Sequence, residues 1–500
     1  MGLVALFCSL ALSLVCLRQE ARMQKDASLL MWLPTLWMMR VCSRAFGYWL
    51  PGDLESWGDP VILSVLTIIG FAVLAKRTHK LGPLFRENRA FLFFFILMST
   101  SVLWSEEVSG AFKRWFRTVG DVTMALIVLT EVNPFTALLC VIRRAVLLLI
   151  PLSLVLSLYF PTFGLGQGGS WVGVSVDKNW FGLLCAMATA YLLWNWAMRR
   201  RNPELAVHIK PAGVPFEIPY LTLSLYLLFG GATGRASRSS TAIVLLALAV
   251  GLFYLIDYVR RNQVKVGALV AVSFVAILVC QVVPNITGHR TLKDHIIEDI
   301  LHKDVNLTDR TEFWPLLMKK GMAHPWLGSG FDSFFTTRMQ NEIQAELATN
   351  ETYFKPNQAH NGYIQVFLNL GAVGLLLLGL TVYSAFKGIR KALRCDFEFG
   401  RIRLILLICV MVSNYTEATF TRPTEFVWFL FLLVAINPVG YAVYARGNAI
   451  QATGAENWGY VRSSRLPITQ PSRSQYEDLT THEEAAISVQ QGNALPGLVV

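Results

Sequence analysis

Long apolar stretches alternate with short polar ones along most of this chain. They fall near residues 1–17, 28–46, 60–76, 89–104, 118–131, 138–160, 179–197, 217–231, 239–257, 264–284, 362–386, 403–416 and 424–445. Most can cross a hydrocarbon core ~30 Å thick as helices. The pattern predicts an all-α polytopic integral membrane protein of about 12 or 13 transmembrane helices. The second stretch, LLMWLPTLWMMRVCSRAF, is interrupted by Pro34, Arg40 and Arg44, and reads as half-buried or re-entrant. One polar interval, residues 285–361, is too long for a simple connector. It separates an N-terminal helix bundle (1–284) from C-terminal helices (362–445). A polar tail rich in Ser, Gln and Asn follows (446–500) and is expected to be disordered and cytoplasmic. The first 17 residues lack a basic leading segment, so they read as a membrane helix rather than a cleaved signal.

Charge orients this bundle. Lys76, Arg77, Lys80, Arg86 and Arg89 fall between two apolar stretches. Arg199–Arg201 with Lys210, Arg260, Arg261 and Lys265, and the group from Lys387 to Arg403 occupy three further intervals. With alternating spans these intervals, and Arg143–Arg144, share one side. Basic connections mark the cytoplasmic side. The intervals 105–117, 161–178, 231–238, 285–361 and 417–424 then lie outside the cytoplasm. The net charge of +11 is thus a topological signal rather than a nucleic-acid footprint, and no nucleic-acid partner is expected. The chain is 54% hydrophobic and 15% charged, with a mean hydropathy of +0.46, which excludes a soluble enzyme. The eight cysteines include no CxxC pair and none in the large loop, so neither a disulfide framework nor a zinc site is expected. No repeat, Walker motif or dinucleotide motif suggests an ATP-driven pump.

Candidate chemistry collects on the outer side. In GRASRSST, Arg235 and Arg238 stand three apart, and would share a face if the following helix extended upstream. With Ser239 beside them they suit an anion such as phosphate; the competing reading is an arginine snorkelling at the interface. In LTDRTEFW, Asp309 and Glu312 resemble a helix cap, which places Arg310 in the first turn. A cation there opposes the helix dipole, so Arg310 serves something besides the helix, or pairs with Asp309 or Glu312. In QAHNGY, His360 stands at the mouth of an apolar stretch with Asn361 and Tyr363, where it can exchange a proton or act structurally. Glu417 ends another stretch and is suited to orient an arginine or a sugar hydroxyl, or to pair with Arg422. Glu106 and Glu107 read as solvated. His289, His295 and His302 lack metal-ligand spacing.

The ordered set DVNLTDRTEFW, HPWLGSGFDSF and NQAHNGYIQVFLNLGAVG resembles the O-antigen ligase-like family, which includes exopolysaccharide polymerases. TSVLWS (100–105) and SVDKNWFG (175–182) resemble its outer loops. The resemblance runs from about Gly230 to Glu425 and is densest over 304–374. It implies an all-helical membrane glycosyltransferase of the bacterial cytoplasmic (inner) membrane, with its active face outside the cytoplasm. It implies no metal and no other cofactor. The donor would be a glycan on undecaprenyl diphosphate, and the acceptor a lipid or a second polysaccharide. Ligase and polymerase differ only in that acceptor. By motif, His360, Arg310 and Arg238 correspond to the catalytic positions, with Arg235 the second choice in its segment. Ser239, Asn361, Tyr363 and Glu417 would help to bind substrate. Asp309 departs from the glycine that relatives often carry before the arginine. A transporter of lipid-linked sugar is the non-enzymatic alternative. It calls for charges at mid-membrane and repeat symmetry, and the candidate groups here stand on one face instead.

Overall fold

The computed structural model describes residues 1–23, 28–49, 54–230, 236–263, 310–348 and 356–438. These build an α-helical bundle, and no β-strand forms among them. The helices are α1 (Gly2–Met23), α2 (Trp32–Cys42), α3 (Leu54–Ala75), α4 (Thr78–Glu87), α5 (Arg89–Thr100), α6 (Val108–Leu129), α7 (Pro134–Tyr159), α8 (Pro161–Gly164), α9 (Lys178–Arg201), α10 (Glu217–Phe229) and α11 (Ser240–Arg261). After the large interval come α12 (Arg310–Gly321), α13 (Thr337–Ala348), α14 (Gly362–Cys395), α15 (Phe397–Thr416) and α16 (Phe426–Ala435). Among the described residues six helices, α1, α3, α7, α9, α11 and α14, are long and apolar enough to cross a membrane. The segments Leu29–Cys42, Arg89–Trp104, Glu217–Phe229 and Phe426–Ala435 are apolar but shorter. The apolar stretch 264–284, Arg235, the three histidines at 289, 295 and 302, and the tail from 446 lie outside the described residues.

The polar connections sort to two ends. At one end, Arg77 pairs with Glu131, Arg199 with Glu217 (2.5 Å), Arg401 with Asp257 (3.0 Å), and Asn437 N–H donates to Asn88 (2.8 Å). At the other, Arg114 meets Asp332 (3.1 Å), Trp171 N–H donates to Ala236 C=O (3.2 Å), and Thr424 N–H donates to Asp121 (3.0 Å). The second set draws on the intervals that the charge alternation groups together as outer. Two expectations change. Arg143 and Arg144 belong to no connection: they lie inside α7, buried, and both grip Glu20 of α1 (2.6 and 2.8 Å). A basic pair so placed neutralises a buried acid and carries no topological information. Glu106 is also not simply solvated. It pairs with Arg338 (3.2 Å) and accepts from Thr336 Oγ1 (3.2 Å), tying the α5–α6 connection to the loop around 332–338.

The feature that shapes the second end is a break in α14. At Gly371 the backbone takes φ 65°, ψ −165°, a conformation essentially confined to glycine. A broken helix in an apolar setting must find other partners for its freed amides and carbonyls. HPWLGSGF supplies them. Ala372 N–H donates to Pro325 C=O (2.8 Å), Val373 N–H to Trp326 C=O (3.1 Å), Ser329 N–H to Leu368 C=O (3.0 Å) and Gly330 N–H to Asn369 C=O (3.0 Å). The fit leaves no room for side chains. A Cβ on Gly371 would stand 2.2 Å from Trp326 C, and one on Gly328 2.3 Å from Asn369 C. A Cβ on Gly330 would stand 2.4 Å from Ser105 Oγ. Three separate sequence segments, TSVLWS, HPWLGSGF and LNLGAVG, therefore meet in one knot.

Two measurements follow. Gly371→Ala should destabilise the bundle by about 3 kcal/mol, from backbone strain with the steric overlap added, and lower its melting temperature in detergent; an unchanged melt would contradict the knot. With the knot outside the cytoplasm, Asn341→Cys, exposed on α13, should react with an impermeant thiol reagent in intact cells, in a parent lacking the exposed Cys8. Reaction seen only after lysis would invert the bundle.

Candidate active site

His360 stands at the start of α14, one residue before its cap. Asn361 is that cap: its Oδ1 accepts from Tyr363 N–H (3.0 Å) and Ile364 N–H (3.1 Å), while its Nδ2 donates to Tyr415 C=O (3.3 Å). Gly362 follows because Asn414 presses against it; a Cβ would come within 2.1 Å of Asn414 Oδ1. That oxygen in turn accepts from Thr419 N–H (3.1 Å) and Phe420 N–H (3.0 Å), folding the 414–420 turn. Tyr363 OH donates to Met411 C=O (2.8 Å). The residues flanking His360 thus lock the head of α14 to the end of α15. His360 itself adopts φ +49°, a left-handed geometry uncommon outside glycine, and is largely buried.

Gln358 and Glu417 approach it, and Arg422 and Glu425 stand behind Gln358. Gln358 Nε2 lies 3.3 Å from His360 Nδ1, and Glu417 Oε2 lies 3.9 Å from the same nitrogen. Arg422 donates through Nη1 to Gln358 Oε1, and its Nε stands 3.9 Å from Glu425. Glu417, which the sequence offered as a partner for an arginine or a sugar hydroxyl, stands beside His360. Glu425 is deeply buried at the start of α16. Burial pushes its carboxyl up to about 8, Asp177 and Glu417 nearby push it further, and Arg422 and Arg40 oppose them. Asp332, from HPWLGSGFDSF, is likewise raised by burial, with Arg422 and Arg114 pulling it down. Arg422 is therefore the common neighbour of Gln358, Glu425 and Asp332.

The arginine segment adjoins this cluster through Asp177. That residue caps α9 by accepting from Asn179 N–H (2.7 Å) and Trp180 N–H (3.0 Å), and its carboxyl feels Glu417. Ser237 Oγ donates to Lys178 C=O (2.6 Å), and Ser239 Oγ donates to Asn179 Oδ1 (3.2 Å). Arg238 lies between them, exposed. Its φ of +47° and its N–H bond to Leu228 C=O (3.0 Å) put it in a tight turn. The helix does not extend upstream over it, as the Arg235–Arg238 spacing had suggested, because Ser239 caps α11 at Ala242 N–H (3.4 Å). Arg310 opens α12. One turn on, Trp314 donates to Ala359 C=O (2.9 Å), next to His360, and packs edge-on against Tyr415. At 1.5 Å per residue, the Arg310 backbone starts about 6 Å along the helix from Trp314.

The central part of the chain is similar to the O-antigen ligase family. The O-antigen ligase family model matches residues 223–379, which contain Arg238, Arg310 and His360. The exopolysaccharide production protein ExoQ of Rhizobium meliloti (strain 1021) is 23% identical over 308 residues. That match covers 60% of this chain and 65% of the relative's length.

Sequence reasoning passed over Gln358, Asp177, Asp332 and Glu425, and gave Arg422 only a possible ion pair. The first three stand inside motifs quoted for the resemblance, so the motif order was their signal. Glu425 had none, since it is an unremarkable acid until α16 buries it. Asn361, Tyr363 and Ser239, expected to bind substrate, all direct polar atoms into the framework.

The raised Glu425 carboxyl gives a signed expectation. Its usual value is about 4.3, so between roughly pH 4 and 8 the folded state keeps a proton that the unfolded chain has lost. Its contribution to stability is full below that window and falls as pH rises through it. Glu425→Gln should flatten the fall of melting temperature from pH 5 to 8 by a few degrees. Equal slopes in variant and parent would contradict it.

Proposed function

We propose that this chain transfers a glycan from an undecaprenyl-diphosphate-linked donor to an acceptor at the His360 end of the bundle, outside the cytoplasm of a bacterial inner membrane. The observation that supports it is the convergence of His360, Glu417, Gln358 and Arg422 at the head of α14, within electrostatic reach of the Asp177–Ser239 segment and beside α12. Transfer forms a bond between the acceptor oxygen and the anomeric carbon, and breaks the bond from that carbon to phosphate. The electron pair leaves on the diphosphate. Arginines suit that charge because they stay protonated and grip phosphate oxygens bidentately; Arg310 and Arg238 take this role in place of a metal. The acceptor hydroxyl gives up a proton, to His360 or Glu417.

An apolar groove of about 460 Å³ runs along the α14–α15 seam, lined by Tyr383, Phe386, Leu407 and Met411, and offers the prenyl tail a lipid-facing berth. A ligase reading follows from the family description. A polymerase joining lipid-linked repeats is the second reading, favoured by the likeness to an exopolysaccharide production protein.

Purified variants test this with a prenyl-diphosphate glycan donor. His360→Ala should lower turnover by roughly two to four orders of magnitude with the fold retained. Arg310→Lys keeps charge but loses the fork, so it should also be impaired, and Arg310→Ala at least as much. Transfer should survive EDTA. Near-normal turnover in both alanine variants would defeat the assignment. A loss in EDTA restored by divalent ion would defeat the metal-free chemistry.

A further inference from the structure

The short helix α4 is fastened to the basic end of the bundle along one side. Leu84 is fully buried, Lys80 Nζ donates to Thr130 C=O (3.0 Å), and Asn88, which ends the helix, donates through Nδ2 to Asn437 C=O (2.9 Å). These contacts fix the rotation of α4 about its axis. Thr78, Leu81 and Phe85, at helical spacing on the adjoining side, line an apolar groove of about 390 Å³. Phe71 of α3, Phe95 of α5 and Leu126 of α6 help to form its other walls, and Phe71 is exposed to the surroundings of the bundle.

The next stripe round α4 is His79, Gly82 and Arg86. His79 and Arg86 are exposed, as is Lys76 just before the helix. Between them and the groove, Gly82 leaves open space: a Cβ there would meet nothing within 4 Å. From Lys76 to Arg89 the chain carries five Lys and Arg against one acid, Glu87, so the rim of the groove is positive. Arg77 is taken up by Glu131, and Lys80 by the Thr130 carbonyl, which leaves Lys76, His79 and Arg86 on the outer side. An apolar groove that opens onto exposed cations fits an amphiphile with an anionic head. We propose that the groove between α3, α4, α5 and α6 holds one tail of an anionic phospholipid, whose phosphate lies against His79, Arg86 and Lys76. The site stands at the opposite end of the bundle from His360 and does not depend on the chemistry there.

A groove filled by whatever lipid is at hand would show no preference among headgroups, and the test reads that preference. The full-length protein, stripped of lipid in detergent, receives phosphatidylglycerol or phosphatidylcholine with the same tails. Native mass spectrometry measures the lipid retained, and a melt confirms the fold of each variant. The wild type should hold phosphatidylglycerol about tenfold more tightly, the scale of a few basic side chains near one headgroup. His79→Gln combined with Arg86→Gln should erase the preference. So should Gly82→Glu, which brings a carboxylate into open space. Lys391→Gln, at an exposed cation near the end of α14, should leave it unchanged. Equal retention of the two lipids by the wild type overturns the proposal, whether or not any variant folds. A preference that survives in the folded double variant, or that vanishes in Lys391→Gln, overturns it as well. Inorganic phosphate alone should leave the melting temperature where it was. A rise as large as the lipid's would make this a phosphate site and overturn the tail's place in the groove.

Discussion

A peptide group in an apolar environment must be paired, and the second end of this bundle is organised by that requirement. Breaking α14 at Gly371 frees amides and carbonyls that lipid cannot satisfy. The HPWLGSGF loop satisfies them with its own backbone, and in doing so fixes where the loop sits. Residues 324–331 become a strut against α14, backed by Ser101 and Ser105 of the α5–α6 connection. Asp332 is then delivered to Arg114 and to the neighbourhood of Arg422. The glycines of this region are contact points at which any side chain would overlap backbone.

The same logic, applied to charge, separates the two ends of the molecule. At the basic end the charges neutralise one another in short pairs, as Asp257 does for Arg401, and within the bundle Glu20 does the same for Arg143 and Arg144. At the other end short pairs such as Arg114 with Asp332 stand beside two longer approaches, Glu417 3.9 Å from His360 and Arg422 3.9 Å from Glu425. Buried acids there are held toward their neutral forms, Glu425 among them. Tight pairs suit a scaffold. A buried acid held toward its neutral form beside a histidine and an arginine suits a place where an anionic substrate exchanges partners.

How far the candidate site was legible varies residue by residue. His360 stood out through the motif order, since a lone histidine at the start of an apolar helix is as readily structural, and Arg310 because a cation in a helix's first turn works against the dipole. Arg238 was visible, but its geometry was misread. Spacing of three suggests a helical face, and the left-handed turn that actually holds it depends on a bond to Leu228 and a cap at Ser239. The nearness of Glu417 to His360 was not visible, because it comes from Asn414 folding the 414–420 turn. Gln358 carries no charge and titrates nothing, so only its place inside the NQAHNGY motif marked it.

By itself the sequence determined the class of molecule, the order of most helices, and the motifs worth attention. Hydropathy and loop charge act locally, through the cost of placing each residue in lipid or water, and such costs can be read one segment at a time. Only the tertiary structure decided that Arg143 and Arg144 serve a buried acid, that three distant motifs close one knot around Gly371, and that Arg422 reaches His360 through an amide. Those outcomes depend on pairings between residues far apart in the chain, and a pairing energy belongs to neither partner until the fold brings both together.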